Sequence, residues 1–110
     1  MSDRRQIGIV SDVPPGTARQ FEVGEDMIVV VNTPEGLFAI EDRCSHADVA
    51  LSEGEVDGCL IECWLHGSAF DVRTGAPTSL PAITPVKRFS ISADSQDPNS
   101  PIYLTKGTTQ

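Results

Sequence analysis

Apolar residues fall into short runs along this chain, several of them alternating strictly with polar ones. Gln6–Val10, Gln20–Val23, Met27–Val31, Leu37–Glu41, Cys59–Cys63, Ala69–Val72, Val86–Ser92 and Pro101–Thr105 read as strands. Turn chemistry separates them, most clearly at Pro14-Pro15-Gly16, Asn32-Thr33-Pro34-Glu35-Gly36 and Thr74-Gly75. Asn32 to Gly36, between two apolar runs, predicts a hairpin loop of about five residues. No window sustains a helical period, so any helix is short. Asp42–Gly54 and Gly75–Pro85 carry no strand pattern; the second contains Pro77, Pro81 and Pro85. Loops of that length in a compact chain are functional or lack structure.

Length and composition agree with this pattern. A chain of 110 residues suits one domain around one core. Nine Gly and eight Pro multiply the turns, and the core candidates are Val, Ile and Leu, so the expected class is all-β. The formal charge of −8 disfavours nucleic acid, which needs concentrated Lys and Arg, and anionic membrane surfaces. No stretch approaches the roughly 20 apolar residues that span a bilayer. The N-terminal MSDRRQIGIV has no apolar core of signal-peptide length. A soluble, cytoplasmic protein is therefore expected.

Three cysteines and two histidines are the only such residues, and four of the five form two compact pairs. Cys44-Ser45-His46 and Cys63-Trp64-Leu65-His66 are separated by 16 residues, and each pair lies at or just beyond the end of a predicted strand. Two thiolates and two imidazoles suit either a tetrahedral Zn²⁺ or an asymmetric iron–sulfur cluster. Structural zinc sites usually pair like residues, whereas here each loop supplies one Cys and one His. That mixture favours a two-iron centre clamped by both loops, with zinc kept as the alternative. Cys59 precedes Cys63 by four strand residues, roughly 13 Å when extended, too far for a disulfide. It reads as a small apolar residue or a free thiol.

C-x-H-x₁₆-C-x-x-H, followed by His66-Gly67-Ser68 and the loop Gly75-Ala76-Pro77-Thr78-Ser79-Leu80-Pro81, resembles the Rieske-type [2Fe–2S] ferredoxin family. The resemblance is close from Leu37 to Ile91. It implies a Rieske-type antiparallel β-sandwich, a single domain over residues 1–110, with a small cluster-binding subdomain at about 42–82. It also implies one [2Fe–2S] cluster per chain, with Cys44 and Cys63 on the buried iron and His46 and His66 on the outer one. Around the cluster, Trp64 either shields it or packs over its loop, and Leu65 and Phe70 read as local core. Pro81 covers the cluster or simply makes a turn.

Two thiolates in place of four remove two negative charges from the cluster and so raise its potential, to about −150 to +300 mV for the class. High-potential members resemble this chain but carry a disulfide at positions that look like Val49 and Leu65, and Ser and Tyr hydroxyls near the cluster. Ser68 matches the Ser, while Phe70 stands at the Tyr position, so the low end of the range is expected.

The resemblance implies the ferredoxin component of a multicomponent aromatic-ring dioxygenase system. Such a protein is an electron-transfer component, not an enzyme. It would be a monomer that meets a flavin-dependent ferredoxin reductase and a terminal oxygenase transiently. Between Asp42 and Arg73 lie seven acids and two bases, a subtotal of −5. These read either as an acidic collar that steers basic partners or as solvated loop charges. Alternatives are an accessory or sensor protein of iron–sulfur assembly, the small subunit of a reductase such as nitrite reductase, and a structural zinc-binding interaction module.

Overall fold

The computed structural model describes residues 4–24, 26–42, 50–63, 69–78, 86–94 and 96–105. Among them are nine strands: β1 (Arg4–Ile9), β2 (Ala18–Val23), β3 (Asp26–Thr33), β4 (Gly36–Glu41), β5 (Val56–Asp57), β6 (Leu60–Glu62), β7 (Ala69–Asp71), β8 (Arg88–Ser92) and β9 (Pro101–Thr105). The described helices are single 3-10 turns at Val10–Asp12 and Leu51–Glu53. All pairings are antiparallel. One sheet has the order β1-β9-β8-β4-β3-β2, and a smaller one has the order β5-β6-β7. The all-β sandwich expected from the sequence is the observed architecture.

The run Met27–Val31 is apolar without polar breaks because β3 is covered on both faces. Ile28 to Thr33 are all buried. Successive side chains point to opposite faces of a strand, and the packing follows that rule. Val29 and Val31 join Ile40, Leu51, Ile61, Cys63, Phe70, Val72 and Val86 in one cluster. Val30 turns the other way, towards Val10, Val13, Ala39 and Ile102, as does Ile28, towards Val23 and Leu104. The first cluster joins the two sheets into one core, so the small sheet sits on the large one through apolar contact. Asn32, buried among these residues, donates from Nδ2 to the Val13 carbonyl at 2.8 Å.

Several boundaries differ from the sequence reading. The hairpin between β3 and β4 has a two-residue loop, Pro34-Glu35, because Thr33 pairs with Gly36. The Thr33 hydroxyl donates to the Gly36 carbonyl and accepts from Glu35 N–H, tightening the turn. Cys59 lies in the turn between β5 and β6, not in a strand, since Asp57 pairs with Leu60. Val10 leaves β1 for a 3-10 turn. Strand β5 and the buried Leu51 were hidden in segments without a readable pattern.

Strands β4 and β8 are neighbours in the large sheet, pairing Ala39 with Phe89 and Ile40 with Arg88. In the chain they are separated by everything from Asp42 to Lys87, the stretch that holds the small sheet and all four paired Cys and His residues. This stretch connects the end of β4 to the paired start of β8.

Candidate metal centre

Of the residues singled out by sequence, Cys59, Cys63 and Phe70 are described; Cys44, His46, Val49, Trp64, Leu65, His66, Ser68 and Pro81 lie outside the described residues. Cys63 follows β6 directly and is 0% exposed. It shares a core cluster with Leu51, Ile61, Phe70 and Val72. Phe70 stands opposite Ile61 in the β6–β7 ladder and is likewise fully buried. A thiol enclosed by apolar side chains suits a ligand to a metal held away from water.

The described residues around Cys63 are tied together across segments. Glu62 pairs with Ala69, so the chain before 64–68 lies beside the chain after it. The Ala69 carbonyl accepts from Thr78 N–H at 2.7 Å and from its hydroxyl at 3.1 Å. Phe70 bridges Pro77 and Asp71 N–H donates to the Ala76 carbonyl, so 76–78 runs antiparallel along the free edge of β7. At the base of that loop Val86 N–H donates to the Gly75 carbonyl at 2.9 Å. Gly75 has φ +81°, and a Cβ there would overlap the Val86 carbonyl oxygen, so only glycine fits.

The first Cys–His pair is bracketed by another tie. Asp42 ends the extension of β4, its N–H donating to the Met27 carbonyl at 2.9 Å. The residue is 5% exposed, and its carboxylate accepts from Ser52 N–H at 2.6 Å, the Ser52 hydroxyl at 2.7 Å and Gln20 Nε2 at 2.7 Å. Two residues beyond Ser52, Gly54 presses against the carbonyl of Glu62, the residue before Cys63. Glu62 N–H donates to the Glu55 carbonyl at 2.8 Å. Sequence reasoning missed Asp42, Ser52 and Gly54. Asp42 in particular is one of the seven acids that read either as a collar or as solvated loop charges, and its burial fits neither.

Asp71 also leaves the collar. Arg73 donates from Nε to Oδ1 at 3.0 Å and from Nη2 to Oδ2 at 2.8 Å, and its Nη1 reaches Glu35 in the β3–β4 turn. Hydrogen bonding to this guanidinium holds the Asp71 carboxyl below the usual carboxylate range, against the opposing effect of its partial burial. Glu35 precedes β4 and Asp42 follows it, so two polar ties fasten the connecting stretch at opposite ends of that strand. The exposed acids Glu55, Asp57 and Glu62 line a shallow groove with Leu60 and Ala69.

Comparison with known proteins decides the family. The model of the Rieske [2Fe–2S] domain matches residues 4–90. This chain belongs to the Rieske family. It is 43% identical over 86 residues to the ferredoxin component of biphenyl 2,3-dioxygenase from Rhodococcus jostii (strain RHA1), covering 78% of this chain and 80% of that one. The solved ferredoxin of carbazole 1,9a-dioxygenase from Nocardioides aromaticivorans IC177 superposes with a TM-score of 0.81 at 34% identity, over 93% of this chain and 95% of that one. A chain in a complex of reduced oxygenase and oxidized ferredoxin in carbazole 1,9a-dioxygenase gives 0.82 at 34% identity, over 97% and 95%.

The residues of this Rieske domain fit the cluster its family is named for. Two thiols and two imidazoles make up the Rieske donor set, and Cys63, the one of the four within the described residues, is a thiol enclosed by apolar side chains. No described helix is long and apolar enough to cross a membrane.

Proposed function

We propose that this chain is a stand-alone Rieske-type ferredoxin, a one-electron carrier from a flavin-dependent reductase to a Rieske non-haem iron oxygenase. The observation that carries the reading is near end-to-end correspondence with solved carbazole 1,9a-dioxygenase ferredoxins, one of them in complex with an oxygenase, beside 43% identity to a biphenyl dioxygenase ferredoxin component. The chain makes and breaks no substrate bond; it is a component of an oxygenase system, not its catalyst. A Rieske cluster, when bound, supplies a site that takes up and returns one electron.

In this reading Cys44 and Cys63 hold the inner iron and His46 and His66 the outer one, with one [2Fe–2S] cluster per chain. The cluster-binding subdomain spans about 42–82, within a single domain. Trp64, Leu65, Ser68, Phe70 and Pro81 surround the cluster. The protein acts as a cytoplasmic monomer, and transient docking is favoured by the exposed acids Glu53, Glu55, Asp57 and Glu62.

A potentiometric titration followed by electron paramagnetic resonance tests the proposal. The expected result is a Rieske signal titrating near the low end of the class, about −150 mV. A clearly positive potential overturns the low-potential argument from Val49, Leu65 and Phe70 and moves a sensor or quinol-linked role ahead. His66→Cys should lower the potential or abolish assembly. An unchanged spectrum and potential in that variant would sink the ligand assignment.

A further inference from the structure

Asp42 is nearly enclosed and lies outside the proposed ligand set, and its carboxylate accepts three short hydrogen bonds. An Asp that only finishes a strand or turn bonds locally, within a few residues. This one reaches ten residues on to Ser52 and back to Gln20 of β2. Ser52 is thereby referred to the β2–β3–β4 meander, the most extensively paired part of the large sheet. The chemistry suits a carboxylate, since a backbone N–H, a hydroxyl and an amide all point at it, and only an acceptor-only group with two oxygens meets all three without rearrangement. From Ser52 the 3-10 turn leads into Gly54, which rests on the Glu62 carbonyl next to Cys63.

We propose that Asp42 is a positioning residue: by closing segment 43–51 on Ser52, and through Ser52 on Gly54 and Glu62, it sets the separation of the Cys44 and Cys63 arms and so the retention of the cluster. The inference rests on the ligand reading given above. Without the carboxylate the Ser52 N–H loses its partner in a partly buried place. Support around metal ligands of this kind is worth roughly ten- to a hundredfold in metal affinity.

The test uses the full-length holoprotein and follows bleaching of visible absorbance by excess EDTA. Asp42→Ala should lose the cluster about tenfold faster than the wild type, and Ser52→Ala, which loses the hydroxyl bond but keeps the backbone N–H bond to Oδ1, should fall between the two. The double variant should be little worse than Asp42→Ala, because the hydroxyl bond that Ser52→Ala removes is already lost with the carboxylate. Asp42→Asn should restore slow release, since its Oδ1 still accepts from Ser52 N–H while the Ser52 hydroxyl and the Gln20 amide can turn. The paramagnetic resonance lines should broaden in the alanine variants and sharpen again in Asp42→Asn. A merely structural role would give no such pattern at equal melting temperature of the cluster-free forms. If Asp42→Ala fails to fold, Ser52→Ala carries the comparison.

Release at the wild-type rate from Ser52→Ala or Asp42→Ala, with Cys44→Ala unable to hold a cluster, overturns the positioning role and leaves the ligand reading standing. A wild-type spectrum from Cys44→Ala overturns both. An Asp42→Asn protein no better than Asp42→Ala also overturns the positioning role, because charge rather than geometry would then be responsible.

Discussion

Gly54 lies so close to the carbonyl oxygen of Glu62 that a Cβ on residue 54 would overlap it. The neighbour is backbone, in β6, and cannot swing aside as a side chain could. Gly54→Ala must therefore push the 51–55 segment off β6, at a cost of about 1–3 kcal/mol. Urea unfolding should show the lower midpoint. An unchanged midpoint would mean that the two segments do not approach this closely.

Phe70 is the largest fully buried side chain among the described residues and packs in the cluster that joins the sheets. Phe70→Ala should cost about 3–5 kcal/mol, a large share of the roughly 5–15 kcal/mol available to a domain. Denaturant titration measures it directly. A loss below about 1 kcal/mol would show that the core can collapse into the space.

The tie between Asp71 and Arg73 predicts a pH dependence. The Asp71 carboxyl titrates below its ordinary value of 3.8 in the folded protein. Its contribution to stability is thus fully present above the unfolded value and is lost as pH falls through the folded one. Asp71→Asn should lower the unfolding midpoint at about pH 7, and the gap from wild type should close in acid, below the unfolded value. Because the pair is partly exposed, the gap should be small and should shrink in high salt. A gap that persists undiminished well below the folded value would assign the effect to packing instead.

Cys59 stands in the β5–β6 turn, half-buried, and its backbone carbonyl, not its thiol, accepts from Val72 N–H at 2.8 Å. Cys59→Ala should therefore keep the cluster spectrum and change stability by about 1 kcal/mol or less. Loss of the cluster in that variant would make Cys59 part of the site after all.

The strands were legible where their signal is local. Met27–Val31 and Leu37–Glu41 declare themselves through run length, β-branching and the turn between them, and they appear as β3 and β4 with only their ends shifted. Strand β5 was not legible, because two residues carry no period. Leu51 ends the three-residue apolar run Val49-Ala50-Leu51, too short to carry a period, although it is fully buried in the cluster that joins the two sheets. The family was legible for another reason: the Cys and His spacing is itself a chemical constraint, written in adjacent residues.

Asp42 marks the boundary between the two kinds of information. Its residue type and its place before Cys44 are in the sequence, and there it looks like any solvated acid. Its burial depends on Gln20 and Ser52, 22 and ten residues away, and partners chosen at such distances leave no periodic trace. The contact of Gly54 with Glu62 and the tie from Arg73 to Glu35 are of the same kind. Local pattern and ligand chemistry thus determined the strands, the all-β class and the family. Tertiary structure alone decided which polar groups leave water, because burial is a property of the packed chain and not of any one residue in it.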